Sequence, residues 1–187
     1  LELQGTSKDE ILKELSDYDL IVFHHTKVPR QLLLDLIRKR VAPVACFGLP
    51  LKGVNCLTVD HDIAGGMKQG VRHLQARNRS RIALVASREE WAEPWVRGYR
   101  SALAKAGLTP DPRLLVRVGV TTQQGERAAD LLCDGKAPFD AVLVDEDIRA
   151  VGVVEGLRRR GRTVPGDVAV VSYGGLEHFT EHHPRLT

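Results

Sequence analysis

Short apolar runs alternate with helical stripes of apolar residues along almost the whole chain. The most regular stretch runs from Phe139 to Gly175, FDAVLVDEDIRAVGVVEGLRRRGRTVPGDVAVVSYGG. Ala141 to Val144 is an apolar run too short for a helix, flanked by Pro138 and an acidic cluster, and it predicts a buried parallel strand. Ile148, Val151, Val154 and Leu157 then recur at helical spacing, the stripe of a helix that faces a core. Asp147 is placed to cap that helix and to meet the positive end of its dipole. Arg158, Arg159 and Arg160 suit its last turn, Gly161 its end, and Pro165 blocks a restart. Val168 to Val171 reads as a second strand, so the stretch forms one right-handed βαβ unit.

The rest of the chain follows the same rhythm. Leu1 to Leu3 reads as the end of a strand, and Ser7-Lys8-Asp9-Glu10 fits a capping box before a helix carrying Ile11, Leu12 and Leu15. Tyr18 to Phe23, Val41 to Phe47 and Cys56 to Val59 read as strands, with a helix from Pro29 to Lys39 between the first two. Gly48-Leu49-Pro50 turns the chain. Asp60 to Arg77 places Ile63, Met67, Val71 and Leu74 on one helical face, and Asn78 can take the left-handed conformation that ends it. Arg81 to Ala86 is a buried strand, Trp91 to Ala106 a helix with Pro94 in its first turn, and Leu114 to Val118 a strand. Thr121 to Leu132 is a helix with Thr121 and Gln124 as a capping pair. Strand and helix alternate throughout, the pattern of an α/β protein with parallel sheet.

A family resemblance rests on specific stretches. DEDIRAVGVVEGLRRRG followed by VPGDVAVVSYGG resembles the effector-binding domain of LacI/GalR-type transcriptional regulators, which show Asn-Asp-x-x-Ala-x-Gly at this helix start and Gly-x-x-Val-Pro-x-Asp-Val before the last strand. Asp147, Ala150, Gly152, Gly161, Val164, Pro165, Asp167 and Val168 keep that framework. DHDIAGGMKQGVRHLQARNRSRIALVAS resembles the segment that joins the family's two lobes, and PWVRGYRSALAKAG its Arg-x-x-Gly-Tyr/Phe helix. The resemblance implies a two-lobed periplasmic-binding-protein-like fold, each lobe a doubly wound parallel sheet around a ligand cleft. Residues 1–77 would then be the N-terminal lobe, without its first strand and helix, residues 78–175 the C-terminal lobe, and residues 176–187 the start of the return crossover. It further implies a bacterial, cytoplasmic, homodimeric regulator with a small-molecule effector, whose operator DNA is bound through a headpiece outside this chain. A solute-binding protein of a transporter shares the fold and is the alternative reading.

Composition trims the possibilities. The 187 residues are 43% hydrophobic and 27% charged, ordinary for a soluble globular protein, and no apolar run reaches the length of a membrane span. The start, LELQGTSKDE, lacks Met and a signal peptide's pattern, which together with the abrupt end PRLT predicts a piece of a longer chain. A net charge of +3, evenly spread, does not mark a nucleic-acid surface. Cys46, Cys56 and Cys133 are widely spaced and form no CxxC pair, so they read as structural thiols.

In open parallel sheets, ligands bind beyond the carboxyl ends of the strands. Those ends are His24-His25, Phe47-Gly48, Asp60-His61, Ser87-Arg88, Asp145-Glu146 and Tyr173-Gly174. The predicted cleft residues are therefore His24, His25, Asp60, His61, Ser87, Trp91, Trp95, Asp145, Glu146, Asp147, Tyr173 and Gly174. Three positions depart from those that hold a sugar or purine in the resembled family. Its Arg is Trp95, its Asn is Glu146 and its final Asp is Gly174. A guanidinium fork becomes an indole with one donor, an amide becomes an acceptor-only carboxylate, and an acceptor pair disappears. These changes predict either a cationic or aromatic ligand stacked on Trp91 and Trp95 beside Glu146, or a site closed by the Trp95 ring itself.

Other clusters read as structural. Asp145-Glu146-Asp147 invites a metal, but adjacent residues on a strand diverge and Asp147 has a helix to cap. The same divergence argues against zinc at His24, His25 and His61, and His178, His182 and His183 read as an exposed polar loop. Gly65-Gly66-Met67-Lys68-Gln69-Gly70 lacks both P-loop and dinucleotide spacing and reads as glycine for close helix packing. Ser87 and Ser172 follow strands without the G-x-S-x-G context of a nucleophile. The residues assemble no catalytic set, cofactor or metal site, and no enzyme is expected.

Overall fold

In the computed structural model, residues 7–24, 30–47 and 56–175 are described. The expected strand at Leu1 to Leu3, the turn at Gly48-Leu49-Pro50, His25, and the return crossover with His178, His182 and His183 lie outside those residues. The chain divides into two compact units, Leu1–His61 and Asp62–Thr187.

The first unit holds α1 (Lys8–Leu15), β1 (Ile21–His24), α2 (Arg30–Arg38), β2 (Val44–Phe47) and β3 (Leu57–Val59). Its three strands are parallel in the order β1-β2-β3. The capping box forms as read: Glu10 N–H donates to Ser7 Oγ and Ser7 N–H to Glu10 Oε2. Ile11, Leu12 and Leu15 of α1 pack with Leu32, Leu33 and Leu36 of α2 on Ile21, Val44 and Cys46 of the strands. The strands are shorter than their apolar runs suggest. Pairing starts only where Ile21 meets Val44, and the Val41 N–H is taken by the Leu36 carbonyl at the end of α2.

The second unit holds α3 (Ile63–Gln75), β4 (Ile82–Ser87), α4 (Glu93–Lys105), β5 (Leu115–Val118), α5 (Thr122–Asp134), β6 (Ala141–Val144), α6 (Asp147–Arg159) and β7 (Ala169–Ser172). Its four strands are parallel in the order β5-β4-β6-β7. The sheet is doubly wound, and strand alternation sorts its residues between two cores. Ile82, Leu84, Ala86 and Leu143 face α3 and α4, whereas Ala83, Val85, Val142 and Val144 face α5 and α6. All six residues of β4 are buried, as befits the strand covered on both faces. The Tyr99 hydroxyl donates to the Ile82 carbonyl at 2.7 Å and ties α4 to the start of β4. The helix α3 packs with this unit, not with the first group of elements as the sequence grouping had it, because Met67, Val71 and Leu74 complete the core under α4.

Four helices end in the same way. Arg40, Asn78, Gly107 and Gly161 take positive φ of 50°, 60°, 73° and 73°. The next N–H in each case bonds back to a carbonyl five residues earlier: Val41 to Leu36, Arg79 to Leu74, Leu108 to Leu103 and Arg162 to Leu157. Asn78, Gly107 and Gly161 carry αL signals in the sequence, whereas Arg40 takes the same conformation without one.

The helix α6 is more deeply buried than a single stripe predicts. Ala150, Gly152, Val153 and Gly156 are buried together with Val151, Val154 and Leu157, because α5 crosses close against it. A Cβ on Gly152 would fall on the Thr122 carbonyl oxygen, and one on Gly125 on that of Arg149. These two glycines let the backbones touch.

Candidate functional site

The strand order places the second unit's topological switch point between β4 and β6, since the connection from β4 runs to one side and that from β6 to the other. The strand ends around that point are joined by one ion pair. Asp145, just past β6, accepts the Ser87 N–H from the end of β4 at 2.8 Å. Its other oxygen accepts Nε and Nη2 of Arg149 at 2.8 and 2.5 Å. Arg149 Nη1 donates to the Gly119 carbonyl just past β5 at 3.3 Å. Both side chains are fully removed from solvent. The pair therefore links the carboxyl ends of three strands. Burial raises the Asp145 carboxyl above its usual range, while the Arg149 charge and the Ser87 N–H pull it back.

A second carboxylate secures the fourth strand. Asp147 accepts the Ser172 hydroxyl and the Gly175 N–H, the latter at 2.7 Å. This corrects the capping role expected of Asp147. Glu146 occupies the N-cap, without a side-chain cap bond, and Asp147 is the first helical residue, so its side chain turns to the end of β7. Gly174 leaves the room: a Cβ there would collide with the Asp147 carboxylate.

Other residues at or near these strand ends keep partial exposure. Glu146 is half-exposed, and its Oε2 lies 3.2 Å from Arg149 without hydrogen-bond geometry. Burial raises the Glu146 carboxyl, Arg149 opposes the shift, and the charges of Asp145 and Asp147 add to it. Trp95 stands edge-on between Trp91 and Tyr173, with ring centroids 5.6 and 5.8 Å apart and interplanar angles of 81° and 79°. Its indole Nε1 is buried and has no hydrogen-bond partner among the described residues. Tyr173 is fixed by its N–H to the Val144 carbonyl and lies over Gly66 of α3, where a Cβ would strike its ring. Gly70 similarly admits Leu143, so Gly66 and Gly70 serve packing, whereas Gly65 makes room for the capping side chain of Asp62.

The twelve predicted cleft positions thus divide. Ser87, Asp145 and Asp147 are buried and internally bonded, which makes them supports for the surface rather than part of it. Trp91, Trp95, Glu146 and Tyr173 are partly exposed and Gly174 is open. In the first unit, Asp60 and His61 are exposed at the end of β3, with the His61 ring edge-on to Phe47 at 5.1 Å. His24 ends β1 opposite Phe47, and His25 lies outside the described residues. Sequence reasoning missed Arg149. Its signal was an acid and a base four residues apart at a helix start, Asp145 and Arg149. Among the described residues no group of three or more His, Cys, Asp or Glu is arranged to hold a metal ion, and no helix is long and apolar enough to cross a membrane.

The family described as periplasmic binding protein-like domain matches residues 71–187. The chain is 34% identical over 142 residues to the HTH-type transcriptional regulator CelR of Thermobifida fusca, covering 75% of this chain and 41% of that protein. It is 28% identical over 141 residues to the HTH-type transcriptional repressor CytR of Escherichia coli K12, covering 74% and 39%. The chain therefore spans about two-fifths of the length of these curated relatives. Among solved structures, a transcriptional regulator CelR–cellobiose complex superposes with a TM-score of 0.82 at 30% identity, covering 98% of this chain and 57% of that one. A regulatory protein of the LacI family from Chloroflexus aggregans gives 0.84 at 24% identity, covering 97% and 68%, a likeness of fold.

Proposed function

Because the chain belongs to the periplasmic binding protein-like domain family, we propose that it is the effector-binding and dimerisation region of a ligand-responsive bacterial transcriptional regulator of LacI/GalR type. The observation that supports this reading is the switch point between β4 and β6, with partly exposed aromatic residues and one carboxylate near its strand ends. The curated relatives, regulators of helix-turn-helix type, supply the role of a receptor there. The ligand-facing positions of the second unit are Trp91, Trp95, Glu146, Tyr173 and Gly174. Ser87, Asp145 and Asp147 hold the strand ends in place.

The effector is an organic cation with an apolar or aromatic body. Trp95 and its neighbours supply ring faces and edges, and Glu146 supplies the counter-charge. Its binding favours one arrangement of a homodimer, and the attached headpieces gain or lose operator register through that preference. The protein acts in the cytoplasm and is not an enzyme. The test is a reporter fused to the gene's own promoter. Deleting the gene should change reporter output, and restoring it should reverse the change. An unchanged reporter, with the gene product recovered outside the cytoplasm, would favour the solute-binding reading.

A further inference from the structure

Cys46 and Cys56 are ten residues apart in sequence, yet their Sγ atoms lie 3.8 Å apart. Cys46 belongs to β2, is 2% exposed and forms part of the first unit's core. Cys56 directly precedes β3 and is half-buried. The register opposes Cys46 to Thr58, so Cys56 reaches across to β2 from one step outside the ladder, with its Sγ also 3.8 Å from Thr58 Oγ1. Leu57 and Val59, on either side of Thr58, are more than half exposed, so solvent reaches this edge. Cys133 belongs to the other compact unit.

We propose that Cys46 and Cys56 form a redox-modification site, a dithiol that a low-molecular-weight disulfide converts into a disulfide joining the approach to β3 to β2. The two sulfurs divide the chemistry by exposure. The Cys56 thiolate is the one a reagent can meet. It attacks one sulfur of the small disulfide, forms a mixed disulfide and expels one small thiolate, which takes up a proton. Cys46 then loses its proton to solvent base and attacks Cys56 Sγ, and the second small thiol leaves. Two protein thiols and one small disulfide become one protein disulfide and two small thiols, a two-electron exchange. Burial pushes the Cys46 thiol up to about 11, with the Cys56 contact adding to the effect, so this second step is the slow one. The bond requires the sulfurs at about 2.0 Å. Rotation of the Cys56 side chain is the cheaper route to closure, because Cys46 is fixed within β2.

The experiment exposes the native chain to oxidised glutathione, quenches with acid, alkylates the free thiols and maps the peptides by mass. The expected product is a Cys46–Cys56 cross-linked peptide lacking two hydrogens, with Cys133 alkylated. Cys46→Ala should halt at a mixed disulfide on Cys56, and Cys56→Ser should leave Cys46 reduced. A wild-type chain that halts at a mixed disulfide, pairs either cysteine with Cys133, or stays reduced at both positions would overturn the proposal. None of these outcomes depends on whether the chain belongs to a regulator.

Discussion

Arg149 Nη2 lies 2.5 Å from Asp145 Oδ1, and neither side chain touches solvent. The pair binds the ends of β4, β5 and β6 into one surface, because Asp145 also takes the Ser87 N–H and Arg149 the Gly119 carbonyl. Removing one partner strands a charge in the core. Arg149→Met alone should destabilise the second unit by about 3–5 kcal/mol, whereas Asp145→Asn with Arg149→Met, which keeps an acceptor for the Ser87 N–H, should cost less. Urea unfolding of the single and double variants measures the difference. Equal losses in both would mean that shape, not charge, makes the pair matter.

On the proposed reading, Glu146 should set a pH dependence for binding of a cation. Its carboxyl titrates above the ordinary value of 4.5, chiefly because of burial. Affinity for a cation should be fully present above that raised pKa and lost as pH falls through it. Tryptophan fluorescence with benzyltrimethylammonium as ligand reads this directly, with benzyl alcohol as the neutral control. Glu146→Gln should flatten the profile and weaken binding roughly tenfold. The same shift runs the other way for stability. A carboxyl with its folded pKa above its unfolded value holds more protons when folded, so its contribution falls as pH rises through that window. Equal binding of the alcohol and the cation would exclude a requirement for positive charge, and binding of neither would leave the site to the Trp95 ring.

Asp147 joins α6 to the end of β7 through Ser172 and Gly175. Asp147→Ala should cost about 2 kcal/mol, the scale of a hydrogen bond to a charged group. Amide exchange should quicken at Tyr173, Gly174 and Gly175 before the rest of the sheet responds. Protection lost evenly through β4 and β6 would contradict a local anchoring role.

Gly152 and Gly125 set the approach of α5 to α6. Gly152→Ala places a methyl group on backbone that cannot turn aside, so its cost should reach the top of the ~1–3 kcal/mol range for overpacking. Gly107→Ala meets no neighbour within 4 Å and is strained only by its φ of +73°. Its loss should be the smaller of the two in thermal unfolding.

The elements were legible because their signals are local. The run Ile82 to Ser87 has no reading but a buried strand, and Asn78, Gly107 and Gly161 mark helix ends by the one conformation they tolerate best. What the sequence concealed depends on contacts across elements. Arg149 drew no reading in the sequence, because its role depends on the Gly119 carbonyl beyond β5 as well as on Asp145. Asp147 looked like a cap because a shift of one residue at a helix start leaves the pattern unchanged. Cys46 and Cys56 meet only through the β2–β3 register, which no spacing rule encodes. Of the cleft, the strand ends were readable from the fold, but which side chains face out was not. Asp145 and Glu146 adjoin in sequence, and one is buried while the other is half-exposed.

The most direct test of the regulator reading is a mobility shift with the intact gene product on DNA from its own promoter region, at low and at moderate salt. A regulator reading bases as well as phosphates should give a discrete complex that survives moderate salt, and competitor DNA of unrelated sequence should not remove it. A smear that vanishes as salt rises, or no shift at all, would contradict the account.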